Sequence, residues 1–212
     1  MSDKNWYDIK FFTLKELATM FKSAGLEKTT SDEFLSELLF TSPLALRESL
    51  ARGKKMLLGK VMEQANPWDV VIHEEEQLLA VHGTSKPMPD PLFVQLKEIY
   101  VHGQSDALVV GKWLEHVQDT VKKASDKYKG REPIGILHLY NRTLFNPVDL
   151  KTFEEQLAKV MFDFPVPFKQ VTVTVDSKDS GILTWQIHPL FHAIGGLGSH
   201  EIPKLKELFG FE

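Results

Sequence analysis

The chain has 212 residues, enough for one large domain or two small ones. Its 42% hydrophobic content, with 14 Phe and 4 Trp, can build a real core and excludes intrinsic disorder. Charge is nearly balanced, 25 Lys+Arg against 29 Asp+Glu, so no global field draws the chain to nucleic acid. The absence of cysteine removes disulfides, thiolate nucleophiles, iron–sulfur clusters and Cys-based zinc sites.

The start, Met1-Ser2-Asp3-Lys4-Asn5-Trp6, is polar and lacks the apolar stretch of a signal peptide. Trp6, Tyr7, Phe11 and Phe12 either tie the terminus onto the core or form an exposed docking patch. Thr13-Leu14-Lys15-Glu16 has the capping-box pattern, in which hydroxyl and carboxylate satisfy each other's backbone donors. Leu14, Leu17, Ala18 and Phe21 follow at helical spacing, and Gly25 is a stop. A second helix is predicted from Ser31 or Asp32, burying Phe34, Leu35, Leu38 and Leu39. A third is predicted from Ser42 and Pro43 to about Ala65, with a break at Gly53.

Asn66-Pro67 ends this region. Trp68 to His73 and Gln77 to His82 read as two strands around a Glu74-Glu75-Glu76 turn. The segment Lys86-Pro87-Met88-Pro89-Asp90-Pro91 is the best linker candidate, because proline blocks both ladder donation and helix continuation. Beyond it, 91–101 and 106–129 read as helices and 133–140 as a strand, and Asn146-Pro147 opens another helix. Gln170 to Asp176 alternates valine and threonine, as in a strand with one buried face, and Ile182 to His188 returns as its hairpin partner. Short helices are predicted from Pro189 and after Ser199. The sum is an α/β or α+β fold: a mixed, largely antiparallel sheet flanked by helices. An N-terminal helical subdomain spans 1–66, and an α/β part over 67–212 is continuous with it in a single domain. No apolar run approaches the roughly 20 residues of a membrane span, so the expected compartment is the cytoplasm, without membrane contact.

Two histidine constellations bear on chemistry. His188, His192 and His200 fall near the C-terminus and are the candidate catalytic set; they could also hold a metal, with Glu201 or Asp176 completing the shell. Pro189 stands where the metalloprotease pattern needs glutamate. The second set, Asp69, His73, Glu75 and His82, is the candidate metal set, with Asp69 and His73 on one side of a strand. Metal-dependent nucleases place an Asp on one strand of a hairpin and Glu-x-Lys on the next. The second strand read here ends Ala80-Val81-His82 and lacks it. Structural readings compete throughout: a strand-to-helix corner for the first set, a solvated hairpin tip for the second.

Gly195-Gly196-Leu197-Gly198-Ser199 has neither dinucleotide nor P-loop spacing, and no G-x-S-x-G elbow occurs. Lys122, Lys123, Lys127, Lys129 and Arg131 form a basic stretch that could meet nucleic acid, although cations at a helix C-terminus also follow from the helix dipole. With each catalytic template failing at a required position, the first expectation is a non-enzymatic interaction or regulatory protein without cofactor, working with a protein partner or as a homodimer. The alternative is a divalent-metal-dependent hydrolase acting on phosphodiesters.

Overall fold

The computed structural model describes residues 9–62, 68–81, 91–99, 106–130, 134–140, 160, 162–177, 181–189 and 200–202. The fold is α+β, with strands mixed in direction, helices packed on them, and N-terminal helices in the predicted place. The chain divides into two compact units between Leu96 and Lys97. Among the described residues, no helix is long and apolar enough to cross a membrane.

In the first unit, strand β1 (Ile9–Thr13) runs directly into helix α1 (Leu14–Ala24). Thr13 makes the turn as the foreseen capping box. Its Oγ1 accepts from the Glu16 N–H at 3.1 Å, and its own N–H donates to Glu16 Oε2 at 2.7 Å. The Thr13 contacts hold the Glu16 carboxyl below its ordinary range. Gly25 closes α1 at φ 77°, a conformation that glycine takes without a Cβ penalty. After the short helix α2 (Leu26–Ser31), Asp32 caps α3 (Glu33–Arg52) by accepting from the Leu35 N–H at 3.0 Å.

The boundary predicted at Ser42-Pro43 is absent, and α3 runs through it. Pro43 has no N–H, so the Leu39 carbonyl four residues earlier loses its helical donor. The Ser42 hydroxyl donates to that oxygen instead, at 2.6 Å, inside the buried middle of the helix. Gly53 then ends α3 in the left-handed region, as the sequence indicated.

From Met56 the chain is strand, not helix. Strands β2 (Met56–Val61), β3 (Val70–Glu74) and β4 (Leu92–Glu98) form an antiparallel meander with β1. Three predictions change here. Helix to Ala65 becomes β2, the strand at Gln77–His82 becomes helix α4 (Glu75–Val81), and the helix at 91–101 becomes β4. Short apolar runs do not declare their own period; pairing with β3 decides β4, and Glu75 and Glu76 favour a helix start by their charge. Phe12, Leu58, Val70, Ile72 and Val94 share one side of this sheet, under α1 and α3. Phe12 meets Phe34 of α3 edge-on at 5.9 Å.

The second unit carries helix α5 (Asp106–Asp126) and strands β5 (Ile134–Tyr140), β6 (Phe168–Ser177), β7 (Gly181–His188) and β8 (His200–Ile202). The β5–β6 pair is parallel; β6–β7, the predicted hairpin, and β7–β8 are antiparallel. A strand stands at 200–202 where a helix was expected, because those residues pair with Ile182–Thr184. Val117, Val121 and Ala124 of α5 pack with Leu137, Val171, Val173, Trp185 and Ile187. The threonine side of β6 is buried as well, so this strand has two buried faces rather than one. Its hydroxyls are satisfied across the strands: Thr172 with His138 Nδ1 at 2.8 Å, Thr174 with Thr184 at 2.7 Å. The helix predicted after Asn146-Pro147 and the glycine loop at 195–199 lie outside the described residues.

Candidate functional site

The geometry of the first unit centres on Asp69, at the entrance to β3. Its backbone joins both neighbouring strands: the carbonyl accepts from the Val61 N–H at 3.2 Å, and the N–H donates to the Val94 carbonyl at 3.0 Å. Its carboxylate Oδ2 accepts the Leu96 N–H at 2.6 Å, taking the place of a ladder carbonyl. The β3–β4 register runs from Val70 against Val94 to Ile72 against Leu92; Asp69, a bend just before β3, bonds to Val94 and Leu96, the residues on either side of Gln95. Gln95 is only 6% exposed.

On the helix-covered side, Lys60 of β2 forms an ion pair with Glu37 of α3, both side chains largely buried. The Lys60 ammonium also reaches the Asp69 carbonyl oxygen at 3.4 Å. Burial pushes the Glu37 carboxyl above its ordinary range. The hydrogen bond and charge of Lys60 pull it only partly back, and the Asp69 charge adds to the upward push. Glu37, Lys60 and Asp69 therefore form one electrostatic neighbourhood where α3, β2 and β3 meet.

The other sequence candidates are dispersed. His73 lies within β3, four residues on from Asp69, which stands outside the strand. It is 1% exposed; its Nδ1 donates to the Glu74 carbonyl at 2.8 Å, and its ring meets Phe11 edge-on at 6.5 Å. Its Nε2 is buried without a hydrogen-bond partner among the described residues. Glu75 opens α4, and its carboxylate lies 3.9 Å from Lys55 Nζ. His188 ends β7 half-buried beside Phe162, and burial lowers its pKa. His200 opposes Thr184, four residues from His188 along β7. His82 and His192 lie outside the described residues, as do Trp6, Tyr7 and Arg131. Among the described residues, no three His, Asp or Glu side chains converge on a point that could hold a metal ion.

Sequence reasoning missed Glu37, Lys60, Gln95 and Lys97. The usable signal was Pro91 followed by Leu92-Phe93-Val94, since proline suits the beginning of a strand and large apolar residues its body. Read that way, the strand after Asp69 carries Gln95-Leu96-Lys97. The second strand then offers Gln-x-Lys where the nuclease pattern has Glu-x-Lys, so its carboxylate is replaced by a carboxamide. Asp69 and Gln95 are hard oxygen donors and include no imidazole. They suit Mg²⁺, which keeps several waters and takes one or two protein carboxylates, better than zinc. Glutamine in place of glutamate removes one negative charge and weakens the pull on a cation. Comparison with protein-family models, with curated proteins and with solved structures finds no match for this chain.

Proposed function

We propose that the protein is a divalent-metal-dependent hydrolase of phosphodiesters, with a nucleic acid as substrate. A single observation supports the reading: the strand paired with β3 is β4, and Asp69 bonds to Val94 and Leu96 on either side of Gln95. The expectation of an interaction protein rested on every catalytic template lacking a required position; β4 brings a carboxamide oxygen, Gln95, to the position this template lacked. Among the described residues, the exposed large apolar side chains Leu50, Met62 and Leu79 sit on separate stretches of chain.

In this reading Asp69 and Gln95 would offer the oxygens that hold Mg²⁺, the Asp69 carboxylate being steadied by the Leu96 N–H. The ion would supply Lewis-acid charge at the phosphoryl group and lower the pKa of a bound water.

The test uses labelled DNA and RNA oligonucleotides with the full chain, in Mg²⁺ and in EDTA. Cleavage is expected only with the metal. Asp69→Asn should bring it to background. Cleavage that survives Asp69→Asn unchanged, or no cleavage of either polymer, sinks the proposal.

A further inference from the structure

We propose that Lys60 is a positioning residue of this site, fixing the Asp69 peptide whose carboxylate the site uses; the inference rests on the hydrolase reading above. The Asp69 carbonyl receives two donors. The Val61 N–H, at 3.2 Å, comes within the sheet, and the Lys60 ammonium, at 3.4 Å, comes from the side covered by α3. A sheet hydrogen bond alone leaves the peptide free to rock about the strand axis; a second donor from outside the sheet plane opposes that rotation. Asp69 is the first described residue to pair at the β3 entrance, where the ladder gives least support from the chain before it.

Glu37 completes the device. A largely buried ammonium needs partners for its protons, and the Glu37 carboxylate takes one while α3 holds that carboxylate in place. The rotation of Lys60, and with it the Asp69 peptide, is thereby referred to the second turn of a 20-residue helix. A buried ion pair with only a packing role can be replaced by apolar groups at little cost to anything but stability. A positioning pair differs in that its removal loosens a ligand some distance away. Partners one step beyond a ligating carboxylate typically carry 10–100-fold in metal affinity.

The probe is Mn²⁺ alone, titrated into the full chain and followed by the paramagnetic resonance signal of the free ion. Lys60→Met should weaken binding on the order of 10–100-fold, and Lys60→Arg, which keeps a cation in reach of both oxygens, should restore most of it. Equal affinity in wild type and Lys60→Met overturns the inference and leaves the pair a packing element. Should Lys60→Met fail to fold, Glu37→Gln decides: it leaves the ammonium without its charged anchor, so weaker Mn²⁺ binding supports the role and unchanged binding removes it. If wild type binds no Mn²⁺, or Asp69→Asn binds as wild type does, the hydrolase reading itself falls and this inference with it.

Discussion

Ser42 shows how one hydroxyl can reverse the meaning of a proline. In sequence, Ser-Pro reads as a helix start, since serine caps and proline suits the first turn. In the fold the same two residues sit in mid-helix, because Ser42 Oγ supplies the Leu39 carbonyl with the proton Pro43 cannot give. Serine is 0% exposed at this position, so water cannot take over. Ser42→Ala should therefore cost about 1–3 kcal/mol in urea unfolding, the penalty for a buried unsatisfied acceptor. In a Pro43→Ala background the backbone N–H returns to Leu39, and the same serine substitution should cost much less. Equal costs in the two backgrounds would show that the hydroxyl has another role. The dipeptide's composition could not reveal this, because capping and carbonyl rescue use the same atoms in different backbone contexts.

At the scale of elements, the sequence was legible where local chemistry decides and illegible where pairing decides. The capping box at Thr13, the stops at Gly25 and Gly53, α5 and the β6–β7 hairpin all follow from nearby residues. Strands β2 and β4 do not: β2 is buried on both faces and shows no alternation, and in β4 the alternating Val94-Gln95-Leu96-Lys97 is too short to tell from a helix before its pairing with β3 is known. Misreading β4 as helix hid the Gln95-Leu96-Lys97 pattern, so one wrong element removed the candidate site. Gly59 in β2 records the same dependence on partners. It lies opposite Phe11, and a Cβ there would stand 2.5 Å from Ile9 Cγ2 and 2.7 Å from Phe11 Cε1. The missing side chain lets the Phe11 ring lie over β2 and reach His73 on β3. Gly59→Ala should force β1 outward and cost about 1–3 kcal/mol, as overpacking does. Faster amide exchange confined to Ile9–Thr13 would locate the damage, and trimming Phe11 to alanine should recover part of the loss. A Gly59→Ala variant as stable as wild type would mean that β1 yields without resistance.

At the scale of the whole molecule, the proline-rich stretch at 86–91 was the natural place to divide the chain, yet the division between units falls later, inside β4. The difference matters because β4 completes the first unit. Val94 is 0% exposed and stands opposite Val70, and Leu96 N–H holds the Asp69 carboxylate, so the sheet and the candidate site both depend on chain beyond the prolines. A break in the covalent chain before Pro91 should therefore not separate folded halves. A protease site introduced between Met88 and Pro89 tests this directly. After complete cleavage, the two pieces should elute together in gel filtration without denaturant, because parting them exposes Val70, Val71 and Ile72 as an unpaired apolar edge. Their strand signal in circular dichroism should be that of the uncut chain. Two pieces that elute apart and remain folded would place the boundary at the prolines after all. They would also leave Asp69 without its β4 contacts, and the hydrolase reading would lose the strand pairing on which it stands.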